Sequence, residues 1–145
     1  VMRGIGERLV PVQSLPQLEV VVVNPGLPLS TADVFAALGA GPAPLAPIAP
    51  AAPNLPLSSD LLDYMRARGN DLEAPAMRLL PAIAEVKAAL LAEPGCQLAA
   101  MSGSGPTCFG IFADQAQARS AADRIAGLHG GWWVKAARLH GSASA

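Results

Sequence analysis

From Leu18 to Val23 the chain reads Leu-Glu-Val-Val-Val-Val, a β-branched run without regular polar alternation. Such a run predicts a strand buried on both faces. Asn24-Pro25-Gly26 then reads as a turn, and Ser30 or Thr31 as the cap of a short helix reaching Leu38, with Asp33 in its first turn. A second helix is expected from Ser58 or Ser59 to Arg68, closed by Gly69. Asn70 then stands as the cap of the next helix, with Glu73 in the place of a capping-box acceptor. Pro75 suits a first helical turn, whereas Pro81 does not suit an interior. The pattern therefore divides into one helix ending near Leu79 and another from Leu80 or Pro81 to Ala92. In the latter Ile83, Val86, Leu90 and Leu91 are expected to form the apolar face.

Pro94-Gly95 ends that helix, and two strands are expected at Gln97–Met101 and Thr107–Phe112, as a hairpin around a Gly-Ser tip. Asp114 caps a helix to Leu128 with Ala118, Ala121, Ala122, Ile125 and Leu128 as its apolar positions. His129-Gly130-Gly131 is a hinge, and Trp132–Leu139 a last strand. At the other end, Ile5–Val12 reads as a strand stopped by Pro11 and Pro16.

The order from Leu18 is strand, helices, strand, strand, helix, strand. Two split βαβ units in this order predict an α+β fold: a ferredoxin-like four-stranded antiparallel sheet with helices on one face, plus the N-terminal strand. RNA-binding modules share this topology but need stacking aromatics on the central strands and basic surroundings. Phe109 and Phe112 are three apart and so face opposite sides. The formal net charge of −1 supplies no basic surface, so nucleic acid is not an expected partner.

At 145 residues, 52% hydrophobic and 14% charged, the chain suits one domain able to bury about 70% of its unfolded surface. Cys96 and Cys108 lack a CxxC spacing, and with His129 and His140 they cannot assemble a zinc cluster. Reduced thiols in a cytoplasmic protein are the expectation. Pro94–Ala113 carries no charge, yet its glycines, serines and Pro106 argue against a membrane helix. The opening Val1-Met2-Arg3-Gly4 has no apolar targeting segment, and its strand-like start suggests a chain cut from something longer. Residues 39–57 contain no charge, and Pro44, Pro47, Pro50, Pro53 and Pro56 recur every third position. That spacing would line one edge of a polyproline II segment; without flanking Arg or Lys, a surface loop is favoured over an adaptor ligand. The tail 141–145 is expected to lie outside the fold.

The candidate chemistry lies in Ser102-Gly103-Ser104-Gly105-Pro106-Thr107. Alternating Gly and Ser gives a loop whose successive N–H groups can converge as a nest for an anion such as phosphate. A Gly-rich hairpin turn without a ligand is the competing account. A Walker loop is excluded because no lysine lies between Lys87 and Lys135. A nucleophile elbow is excluded because Ser104 has Ser102 and Pro106 two residues away on either side. Reactive groups would have to come from elsewhere.

Arg3-Gly4-Ile5-Gly6-Glu7, Asn24-Pro25-Gly26 with Ser30–Phe35, Asn70-Asp71-Leu72-Glu73 and Ser102–Phe112 follow one another in a familiar order. Together they resemble the carboxy-terminal half of the diphosphocytidyl-methylerythritol kinase family within the GHMP small-molecule kinases. The resemblance implies phosphoryl transfer from ATP, with Mg2+, to the 2-hydroxyl of the methylerythritol unit in non-mevalonate isoprenoid synthesis. It also implies that the catalytic Asp and Lys and the main ATP loop lie in a missing N-terminal GHMP domain, leaving this fragment inactive alone. On that resemblance Ser102, Gly103, Ser104, Gly105 and Thr107 would support the nucleotide-phosphate loop. Phe35 would stack on the cytosine, and Thr31, Pro25 and Gly26 would line the substrate pocket. The implied division is a junction strand over 1–16, a GHMP C-terminal domain over 17–140 and a tail over 141–145. Two alternatives stay open: another GHMP kinase, of mevalonate or homoserine type, and a free-standing ferredoxin-like regulatory or interaction module.

Overall fold

A computed structural model describes residues 2–3, 8–9, 15–39, 55 and 57–140. The N-terminal pair of strands, β1 (Met2–Arg3) and β2 (Arg8–Leu9), forms a small antiparallel sheet with Met2 opposite Leu9. Of the expected strand Ile5–Val12, only Arg8–Leu9 falls among the described residues, and its pairing with Met2–Arg3 was not foreseen. Of the proline-rich run only Gly39, Leu55 and Leu57 are among the described residues, and the tail lies outside them.

The domain is built on β3 (Leu18–Asn24), β4 (Cys96–Met101), β5 (Cys108–Phe112) and β6 (Trp133–Leu139). Their order is β4-β5-β3-β6, with every neighbouring pair antiparallel. Each βαβ unit is thus split by a strand of the other, which is the ferredoxin-like arrangement. β3 is central, and Val20, Val21 and Val23 are all buried, as a strand covered on both faces requires.

Five helices accompany the sheet: α1 (Thr31–Leu38), α2 (Ser58–Arg68), α3 (Glu73–Leu79), α4 (Ala82–Ala92) and α5 (Gln115–Leu128). Val34, Ala76, Ile83, Val86, Leu90, Ala118, Ala121 and Ile125 bring α1, α3, α4 and α5 onto Val21, Val23, Met101, Cys108 and Phe112. Gly110 lets α4 come close, since a Cβ there would stand 3.1 Å from Leu90 Cδ2. The other face is covered by α2, whose Leu62 and Met65 pack with Val20, Leu98, Phe109 and Ile111. Phe109 and Phe112 therefore belong to separate cores, as their spacing required.

Element limits follow the local signals closely. Ser30 Oγ accepts from Asp33 N at 3.3 Å, and Asp114 Oδ1 from Gln117 N at 2.8 Å, capping α1 and α5. Two apolar assignments fail. Leu91 is 56% exposed, turned about 100° around the helix from the buried Leu90, and Leu128, the last residue of α5, is 77% exposed.

Candidate functional site

The β4–β5 hairpin is closed by Ser102 N–H, which donates to Thr107 O at 2.8 Å. Within its tip Gly105 N–H donates to Ser102 O at 3.0 Å. Gly103 and Gly105 have φ of 56° and 80°, where only glycine is free of strain. Two of the loop amides are thereby consumed internally. Among the described residues, those of Gly103 and Ser104 have no acceptor. The groups left for an anion are fewer than alternation of Gly and Ser suggested: two adjacent amides and the Ser104 hydroxyl.

The glycines also differ in kind. A Cβ on Gly103 would meet nothing within 4 Å, whereas one on Gly105 would stand 2.7 Å from Met101 Sδ. Gly105 is thus required by packing beneath the loop. Gly103 leaves open space above it.

Three stretches far apart in sequence converge here. Asn24 Nδ2 donates to Thr107 Oγ1 at 2.9 Å, while Asn24 Oδ1 accepts from Gly26 N at 2.8 Å. The Asn-Pro-Gly turn is therefore fastened to the exit of the Gly-Ser loop. Gly26 has φ 72°, and a Cβ there would come within 3.0 Å of Gly131 O. At the first position of α1, Thr31 Oγ1 lies 2.8 Å from Ser104 Oγ. Phe35 follows Thr31 by four residues and so shares its side of the helix, with the ring 52% exposed. The structure thus brings two hydrogen-bonded sets to one loop, Gly26–Asn24–Thr107–Ser102 at its base and Thr31–Ser104 at its tip, with Phe35 one turn away and Pro25 within the connecting turn.

Asn70 and Glu73 are the residues that sequence reasoning underrated. Asn70 caps the turn leading into α3, which begins at Glu73 with Leu72 in its N-cap position, and its side chain does more than that. Asn70 Oδ1 accepts from Leu72 N at 3.1 Å, while its Nδ2 donates to Met101 O at 3.1 Å and Gly103 O at 2.8 Å. Glu73 does not complete a capping box. Its Oε2 accepts from Met101 N at 3.1 Å, and its Oε1 pairs with Lys87 of α4. The available signal was an Asx-type residue followed by an acid immediately before a helix, which reads as a cap unless the neighbouring strand is known.

Both members of the Glu73–Lys87 pair are about four-fifths buried, so each needs the other's charge. The pair lies at the outer edge of β4, where Glu73 meets Met101 N. Its influence reaches Cys108, whose thiol is pushed up to about 11, chiefly by burial and then by Glu73, with Lys87 opposing. Cys96 and Cys108 remain separate thiols. Behind the loop, a cavity of about 410 Å3 opens between α2 and β4, bordered by Tyr64, Arg68, Asn70, Lys87, Leu98 and Phe109. No helix among the described residues is long and apolar enough to cross a membrane.

The split-βαβ sheet, with its Gly-Ser hairpin tip held against the start of α1, places the chain in the ferredoxin-like α+β class. The family model described as GHMP kinases C terminal matches residues 51–129, and the chain belongs to that family. More particular likenesses carry one enzyme name, 4-diphosphocytidyl-2-C-methyl-D-erythritol kinase. The protein of that name from Paracoccus denitrificans (strain Pd 1222) is 50% identical over 138 residues, covering 95% of this chain and 50% of the relative. That from Rhodopseudomonas palustris (strain ATCC BAA-98 / CGA009) is 48% identical over 146 residues, covering 96% and 48%. A crystal structure of 4-(cytidine 5'-diphospho)-2C-methyl-D-erythritol kinase is 32% identical, with a TM-score of 0.64, covering 92% of this chain and 47% of that one. The chain spans about half the length of the curated relatives it matches.

Proposed function

We propose that this chain is the carboxy-terminal, substrate-binding part of an ATP-dependent kinase that phosphorylates the 2-hydroxyl of 4-diphosphocytidyl-2-C-methyl-D-erythritol. The observation that carries the reading is the Thr31–Ser104 hydrogen bond, which ties the helix bearing Phe35 to the candidate phosphate loop. The names and coverage of the relatives support the choice of substrate.

Phosphoryl transfer asks a protein mainly for positioning and for stabilisation of charge on the phosphate oxygens. The described residues offer the first and part of the second. The unpartnered amides of Gly103 and Ser104, with the Ser104 hydroxyl, fit a phosphate oxygen as neutral donors. Phe35 offers an exposed ring for a cytosine face, while Thr31, Pro25 and Gly26 form the adjoining wall. ATP suits such donors. Mg2+ would accompany ATP in the full-length enzyme, held by phosphate oxygens, water and one or two carboxylates.

The acid–base and cationic groups of the reaction would come from an amino-terminal GHMP domain, with the junction near residue 16 and the assembled enzyme in the cytoplasm. The test is turnover by full-length protein containing this chain, offered ATP with the cytidylated methylerythritol, mevalonate or homoserine. Phosphorylation of the first alone is expected. Turnover of mevalonate or homoserine instead would move the protein to another branch of the GHMP kinases. Absence of any turnover, with a small effector bound by this chain alone, would favour a regulatory module.

A further inference from the structure

Met101 ends β4, an edge strand of the sheet, so its outward N–H and C=O have no neighbouring strand to bond. Both are nevertheless occupied, the N–H by Glu73 Oε2 and the C=O by Asn70 Nδ2. The same Asn70 amide donates to Gly103 O, two residues further into the loop.

A trans peptide is planar, and its C=O and N–H point in opposite directions. Fixing Met101 O toward Asn70 therefore sends Ser102 N–H the other way, where it meets Thr107 O at 2.8 Å. The same rule applied to Gly103 O sends Ser104 N–H away from Asn70. That amide has no acceptor among the described residues and stands beside the Ser104 hydroxyl that meets Thr31.

We propose that Asn70 and Glu73 are positioning residues that aim the Ser104 amide at the phosphate, with Lys87 holding Glu73 in place. The inference rests on the kinase reading above and deepens it. Asn70 sets the direction of the Gly103–Ser104 peptide, and Glu73 anchors the strand end from which the loop departs. Lys87 pairs with Glu73 Oε1 at four-fifths burial and so fixes the side chain whose Oε2 accepts from Met101 N. A residue that only capped α3 would affect stability and leave the amide direction unchanged.

The test uses full-length protein with three readouts: hydrogen exchange at the Ser104 amide, kcat with KM for the cytidylated substrate, and the thermal midpoint. Asn70→Asp keeps the acceptor for Leu72 N and removes both donations to the loop. It is expected to lower kcat by about 10–100-fold, with KM within about twofold. Ser104 exchange should change by about tenfold or more in the same variant. Glu73→Ala should have the same signature. Glu73→Gln combined with Lys87→Met keeps an acceptor for Met101 N without a buried charge, and should recover most of the turnover lost in Glu73→Ala. These variants also decide the matter if Asn70→Asp does not fold.

The proposal is overturned if Asn70→Asp leaves Ser104 exchange and kcat as in the wild type. It is equally overturned if the double variant is as impaired as Glu73→Ala, since charge rather than anchoring would then be the requirement. Wild-type protein without kinase turnover would sink the kinase reading alone. Ser104 exchange would still decide whether Asn70 directs the loop.

Discussion

Thr31 Oγ1 lies 2.8 Å from Ser104 Oγ, joining the first residue of α1 to the tip of a hairpin 73 positions later in the chain. The bond is exposed, with Ser104 half-buried, so it adds little to stability. Its consequence is geometric: it sets the helix that presents Phe35 against the loop that presents the Gly103 and Ser104 amides.

Removing either hydroxyl should therefore cost catalysis more than folding. Thr31→Val and Ser104→Ala are each expected to change stability by about 1 kcal/mol or less. In full-length enzyme each should lower kcat/KM for the cytidylated substrate several-fold. The double variant should be little worse than the more damaging single one, because both changes break the same bond. Strictly additive losses in steady-state kinetics would mean that the hydroxyls act separately.

Gly103 and Gly105 should respond differently to alanine. At Gly103 only the positive φ opposes a side chain, a cost of about 1–2 kcal/mol. At Gly105 the added Cβ also meets Met101 Sδ at 2.7 Å, so Gly105→Ala should lose about 1–3 kcal/mol more. Denaturant midpoints of this chain measure both. Equal losses would show that Met101 yields freely.

Phe35→Ala should leave the fold nearly intact, because the ring is 52% exposed. If the ring stacks on cytosine, KM for the cytidylated substrate should rise by an amount equivalent to about 1–3 kcal/mol, with KM for ATP unchanged. A large fall in thermal midpoint, or an equal rise in KM for ATP, would assign Phe35 to packing.

Alkaline stability should report on Cys108. Its thiol ordinarily ionises near 9.0 and is pushed to about 11 in the fold, first by burial and then by Glu73. The folded chain holds this proton more tightly than the unfolded one. The associated stability is therefore complete below pH 9 and is lost as pH rises from 9 to about 11. Thermal midpoints across that window should decline less steeply in Cys108→Ala, whatever its midpoint at neutral pH. An identical slope would assign the alkaline loss to other groups.

Much of the fold was legible because local signals agreed with one another. The valine run of β3, Ser30 and Asp114 as caps, and Pro81 as a break each determine backbone behaviour within a few residues. Topology followed from element order, since the two split βαβ units leave few other ways to cover both β3 and β5. The placement of α2 was not legible. Its Leu62 and Met65 are apolar whichever face of the sheet receives them, and they lie on the face opposite the other helices.

The candidate site divides in the same way. Gly103 and Gly105 announce a loop with positive φ, and the exclusion of a Walker lysine and a nucleophile elbow needed nothing beyond the order of residues. The partners of Asn70 and Glu73 were decided only by the tertiary structure. A side-chain amide can accept from the N–H groups of a helix start through its oxygen and donate to a strand 31 residues away through its nitrogen. The sequence by itself settled which residues could bond and where the chain turns. Packing of α3 and α4 against the edge strand settled which bonds form, because distance in space, unlike spacing along the chain, depends on the whole core.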